Sequence, residues 1–314
     1  MFNKIFFSCL LVMFPVVSFA QDQSETNLKP VQIVPLVQYE NLSLESQNIQ
    51  SSSAGLQIIG TDVQFIGLYT QHVFKEPLNS GFPRRYHTID VLLDGKNGRN
   101  QYLGIFKSES DKPVSGGIDT YQAAGVYGYE VIQKPNFSFV LGGGLAVGNF
   151  GIETDDGENW PVIPVPLVRL NYHSDWLEAK FEFLTSPNIS FTLAPKDRIR
   201  LTGDIRMDQF RDTRDIIFEV ALAYRPFSNK NEMGDYTGIA LGFKNDHYGP
   251  FKLGNKEEEE SIEVHYYSLF AEFDISVLKI TAGYAFGGRS LYNETDKLNL
   301  KEGSYVSVQG MFPF

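Results

Sequence analysis

The sequence predicts an all-β fold, an antiparallel transmembrane β-barrel of 12–14 strands with short periplasmic turns and longer external loops. Three observations predict it. Long segments alternate apolar and small or polar residues with a period of two. The chain opens with an export signal. Its last segment alternates and closes on an aromatic residue.

The clearest alternation spans 121–148, two segments joined by Lys134-Pro135-Asn136. Tyr121, Ala123, Gly125, Tyr127, Tyr129 and Val131 share one face of the first. Phe137, Phe139, Leu141, Gly143, Leu145 and Val147 share one face of the second, against Ser138, Val140, Gly142, Gly144, Ala146 and Gly148. Successive side chains of a strand point to opposite sides, so a period of two means strands. A greasy face backed by a small or polar one suits a wall between lipid and lumen.

The N-terminus reads as a secretory signal over 1–20. Lys4 charges the start, 5–17 is apolar, and Ser18-Phe19-Ala20 is a small-x-small cleavage site. A short membrane anchor is the alternative, but the run falls below the roughly 20 residues a spanning helix needs. Cys9, the only cysteine, lies inside this segment. The exported chain then has no thiol for disulfides, thiolate catalysis or cysteine-based metal binding.

Composition agrees. There are 28 Gly, 25 Phe and 16 Tyr, yet mean hydropathy is only −0.19. Lipid-facing and lumen-facing residues average out in a barrel, so a low mean is expected of one. The net charge of −11, one unit more negative without Lys4, argues against nucleic acid as a partner.

Residues 21–30 read as a flexible lead, and 31–60 as either the first strands or a plug. Candidate strands follow at 61–74, 85–94, 99–107, 118–133, 136–149, 161–172, 175–184, 188–194, 198–209, 214–225, 236–246, 262–274, 277–286 and 304–314. Longer polar connections at 108–117, 150–160, 247–261 and 287–303 fall on one side when counted back from a descending last strand. The short ones at 134–136, 173–175, 195–197 and 274–277 fall on the other, while the tight turn at 210–213 and the medium one at 226–235 break the rhythm. That parity orients the barrel, with long loops outside.

Charges on a lipid face near the midplane would cost about 2–4 kcal/mol each for Lys and Arg, so those within strands point inward. The inward cluster is Glu178, Lys180, Glu182, Arg198, Arg200, Asp204, Arg206, Asp208, Glu219 and Arg225. It suits a constriction sorting small polar solutes, or a salt-bridge network filling and rigidifying a non-conducting lumen.

Other features carry less. Prolines at 161, 164 and 166 after Trp160 suggest a strand start with bulges, or a loop folding inward. Trp160 and Trp176 suit interfacial girdles. Glu257-Glu258-Glu259-Glu260 reads as a solvated external run, with weak divalent-cation binding as the alternative. The histidines His72, His87, His173, His247 and His265 sit in no recognisable catalytic motif. Gly142-Gly143-Gly144 lacks the lysine and third glycine of a nucleotide loop. No cofactor, metal or catalytic residue is expected.

Val306, Val308, Gly310, Phe312 and Phe314 alternate to the C-terminus, which resembles the signal read by the outer-membrane assembly machinery. With the export signal, the Leu184-Thr185-Ser186-Pro187 stretch leading into 189–193, and 198–210, the chain resembles the uncharacterised, broadly porin-like families of bacterial outer-membrane barrels. That resemblance implies a location in the cell outer membrane, contact with its lipid, and no catalytic residues to carry over. Function is then a channel for small polar solutes or a non-conducting structural or surface-interaction barrel. An outer-membrane enzyme with a cross-strand site is a third reading, and a soluble secreted β-sandwich a fourth.

Overall fold

The computed structural model of the chain describes residues 31–77, 82–114, 120–148, 162–184, 186–207, 216–226, 237–253, 261–275, 277–292 and 295–313. Sixteen antiparallel strands close on themselves, each bonded to its sequence neighbours and β1 to β16. They are β1 Gln32–Leu44, β2 Gln47–Ile59, β3 Val63–Phe74, β4 Arg85–Asn97, β5 Asn100–Ser110, β6 Tyr121–Lys134, β7 Phe137–Gly148 and β8 Val162–His173. The second half comprises β9 Leu177–Phe183, β10 Pro187–Leu193, β11 Ile199–Met207, β12 Ile216–Tyr224, β13 Gly238–Lys252, β14 Ser261–Ile275, β15 Leu278–Tyr292 and β16 Thr295–Met311.

The count exceeds the expected 12–14 because residues 31–60 supply two wall strands. β1 and β2 pair over thirteen positions, from Gln32↔Ile59 to Leu44↔Gln47. β2 carries Gln50 and Ser52 on the face that turns outward, so no aromatic stripe marked it as wall. A second correction concerns two expected loops. Residues 247–252 and most of 287–303 are strand, because the β13–β14 ladder continues to Lys252↔Ser261 and the β15–β16 ladder to Tyr292↔Thr295. The turns at 210–213 and 226–235 lie wholly or largely outside the described residues, as do 1–30, Trp160 and Glu257 to Glu260.

The outward face is an apolar belt. Leu241 is 67% exposed, Leu145 61% and Leu269 56%. Soluble domains bury such side chains, so a ring of them around a closed ladder is a lipid contact. On the 121–148 hairpin, Tyr127, Tyr129, Leu141 and Leu145 face out, while Val126, Val140 and Ala146 are buried inside. Its glycines keep β6 and β7 close. A Cβ on Gly142 would lie 2.1 Å from the Tyr127 carbonyl oxygen and 2.6 Å from the Gly128 Cα. Gly142→Ala is therefore expected to cost about 1–3 kcal/mol, as overpacking does. Gly125→Ala, which meets nothing within 4 Å, should cost far less. Equilibrium unfolding of the two variants from lipid vesicles checks this.

The wall is uneven in height. β9 and β10 have 7 residues each, β11 and β12 have 9, while β13 to β15 have 15 and β16 has 17. The step explains the prolines. β8 pairs with β9 from Val168↔Phe183 downward, so among the described residues 162–167 have β7 alone as a strand partner. The β7–β8 register runs from Phe137↔Tyr172 to Val147↔Val162 with no shift, so there is no bulge. Proline cannot donate, and that ladder must draw its donors from the intervening residues. Pro164 and Pro166 thus turn their donorless side to the open edge, where a free N–H would otherwise face lipid.

Candidate functional site

Lumen-facing side chains divide into a filled half and a wetter one. The filled half lies between β14 and β4 by way of β16 and β1. Near the loop end it holds Leu42, Leu44, Ile49, Phe74, Tyr266 and Leu300, all buried. Polar residues follow below: Glu40, Ser51, Lys244 and Ser307 are buried too. A second apolar layer of Val34, Leu36, Ile66 and Leu68 closes the turn end.

What fills the mouth is the outer part of β13 and β14. β13 leaves β12 after Asn245, whose side chain takes over the bonding. Its Oδ1 accepts from the Phe218 N–H at 2.5 Å, and its Nδ2 donates to the Ile216 carbonyl at 2.6 Å. Beyond it, residues 246–252 stay paired to β14 but cross the lumen, and Lys252 bridges Ser110 of β5. β5 and β13 are eight strands apart in sixteen, so the crossing spans the barrel. Phe251 packs against Tyr86, His72 and Phe74, with ring centroids 4.7, 5.0 and 6.1 Å away. The Tyr248 hydroxyl donates to Glu40 at 2.6 Å, and Tyr305 donates to the other carboxylate oxygen at 3.1 Å. Lys244 sits 4.4 Å over the Tyr305 ring and 3.4 Å from Asp246. A buried carboxylate with two hydroxyl donors is stable only where both are held, so this network fixes where the crossing lies.

The charged residues singled out in the sequence fall mostly on the other side. On β8 to β11 the inner face carries Glu178, Lys180, Glu182, Arg200, Asp204 and Arg206, and Glu219 continues it on β12. Lys180 reaches Glu182 at 3.2 Å, and His173 meets Glu178 at 2.9 Å. Arg198 departs from that face: it lies in the exposed turn before β11, because β11 begins only at Ile199. Arg225 lies just past β12 at the same rim, where its N–H donates to the Arg198 carbonyl. Asp208 is outside the described residues. Nearby, Lys196 pairs with Asp175, tying two turns together.

The residue that organises this face is Arg169 of β8. Its Nε donates to Glu182 at 2.7 Å, its Nη1 to Gln101 at 2.9 Å and its Nη2 to Asp94 at 3.2 Å. Asp94 is on β4, four strands away, and Arg169 reaches it over the small inner face of β5 to β7 that includes Gly128. The space over Gly128 is taken by Leu167 and Val140, 2.7 and 2.8 Å from where its Cβ would stand. Sequence reasoning passed over Arg169 because it is the lone charge of its strand. The signal was there, since a strand charge must face the lumen.

No protein-family model matches the chain, and no curated protein does. Similar solved structures include Acinetobacter baumannii OccAB3, at 10% identity and TM-score 0.40 over 90% of this chain and 99% of that one. A. baumannii OccAB4 gives 10% and 0.39 over 93% and 100%. Pseudomonas aeruginosa OccK3 gives 10% and 0.35 over 90% and 95%. The chain's own geometry defines its class. A closed barrel belted outside by exposed apolar side chains and charged within is an outer-membrane β-barrel, in contact with outer-membrane lipid.

Proposed function

We propose that the barrel is a channel for small polar solutes, with its path displaced from the axis toward β8 to β11. One observation carries this. Asp94, Lys107 and Lys180 keep 33%, 30% and 27% of their side chains exposed beside the buried Arg169, Asp204 and Arg206, whereas the half between β14 and β4 is packed shut. Mixed charge at close quarters sorts solutes by charge and size. His72 is fully buried between Ser51 and Thr88, out of a substrate's reach, which favours the channel over a site built on that histidine.

Export by the 1–20 segment and delivery by the assembly machinery complete the reading. Val306 and Val308 of the last strand and Phe312 just past it support the second, standing 40%, 37% and 38% exposed. Phe314 lies outside the described residues.

Planar-bilayer recording tests the function. Refolded protein should give stepwise conductance, and Lys180→Glu should move the reversal potential toward cation preference in a salt gradient. Refolded protein that gives no steps would overturn the channel and favour the non-conducting barrel with a salt-bridged lumen.

A further inference from the structure

We propose that the outward face at the loop end of β2 to β4 is a docking site for a phosphorylated glycolipid of the outer leaflet, with Lys75 and Arg85 holding its phosphate. Phe74 and Tyr86 turn into the mouth, where each is only 1% exposed. Strand alternation therefore turns their neighbours Lys75 and Arg85 outward, and both are exposed. The backbone that carries them is fixed. The Lys75 N–H donates to the Asn48 carbonyl at 2.9 Å, and the Phe74 N–H donates to the Arg84 carbonyl at 2.8 Å. Arg85 stands opposite Val73, two residues below Lys75, so the two cations are diagonal neighbours on one face, with backbones roughly 7–8 Å apart.

Like charges so placed repel each other unless an anion lies between them. The neighbouring acid does not serve, because Glu76 is bonded to Arg84 at 3.3 Å. By contrast Lys301, elsewhere on the same rim, has Glu45 at 2.6 Å. A phosphate fits the pair, since guanidinium binds it through two parallel N–H bonds and ammonium adds a point charge. Below the cations the face changes in the order a glycolipid presents. Gln50 beside Val73 and Gln71 beside His87 offer donors and acceptors to sugar hydroxyls. Tyr69, 45% exposed, comes next, stacked on His87 and bonded to it at 2.7 Å. Amphipathic rings of this kind mark the edge of the hydrocarbon. Leu56 and Leu93, exposed beneath it, suit acyl chains.

The site lies on the outer face and holds whether or not the barrel conducts. Native mass spectrometry of the refolded full chain, titrated with bisphosphorylated lipid A in micelles, tests it. We expect Lys75→Gln with Arg85→Gln to weaken lipid A binding at least fivefold. Arg99→Gln with Lys134→Gln removes as much charge from the exposed turn end and should leave binding at the wild-type level. Lys75→Arg with Arg85→Lys keeps both charges and should keep most of the affinity, so a folding defect cannot mimic the loss. Dephosphorylated lipid A should bind the wild type no better than it binds the loop-end double variant. Equal lipid A affinity in the loop-end and turn-end double variants would overturn the site, leaving two solvated cations. Phosphatidylglycerol or inorganic phosphate held as tightly as lipid A, and lost with the same variant, would overturn the glycolipid.

Discussion

Replacing Leu141 with arginine is expected to destabilise the folded barrel by about 2–4 kcal/mol, the cost of a guanidinium on a lipid face near the midplane. Leu141 lies in the middle of β7, paired with Tyr129 on one side and Val168 on the other, and is 43% exposed. On a water-facing sheet the same change would be almost neutral. Trp176→Arg at the turn end, where the side chain can reach water, should cost about 1 kcal/mol or less. Denaturant titrations of the two variants, refolding into vesicles, give the comparison. Equal and negligible costs would mean that the belt is not in lipid.

Arg169→Met carries the other large effect. Its guanidinium is the shared partner of Glu182, Asp94 and Gln101, and its side chain is 10% exposed. Removing one member of a buried pair leaves its partners uncompensated, at about 3–5 kcal/mol. Lys180 still faces Glu182 at 3.2 Å, so the lower end of that range is expected. Arg169→Met with Glu182→Gln should recover a good part of the loss, because the stranded charge goes with its partner. Unitary conductance should rise in the single variant, since the bridge from β8 to β4 narrows the wet side. A stable Arg169→Met barrel with unchanged conductance would show that the bridge neither holds nor constricts.

Much of the wall was legible, for a physical reason. Lipid on one face and lumen on the other impose a period of two, and most of 121–148 shows it, with one register shift between Glu130 and Ile132. The same rule hid β2, where Gln50 and Ser52 near the loop end broke the greasy stripe. The charged face from Glu178 to Arg206 was readable because several charges alternate there with apolar residues. Arg198 was harder to place, because one residue decides between strand and turn. The crossing of 246–252 was not readable at all. His247-Tyr248-Gly249-Pro250-Phe251-Lys252 has the composition of a loop, and only its contacts with β3 to β5, over 140 residues away in the chain, make it a span across the lumen. Glu40 escaped for a related reason: its partner Tyr248 is 208 residues distant.

The low side of the wall has a consequence for the bilayer itself. Seven residues of β9 or β10, at the usual rise and tilt of a membrane barrel, stand only about 18 Å high. The apolar slab that such barrels occupy is about 25 Å thick. Lipids beside β9 and β10 must compress or splay, while those beside β13 to β16 meet a wall tall enough for them. Each ångström of mismatch costs a fraction of a kcal/mol, and the cost is paid on one flank only. The bilayer is therefore expected to thin locally beside β9 and β10 and to keep its ordinary thickness beside β13 to β16.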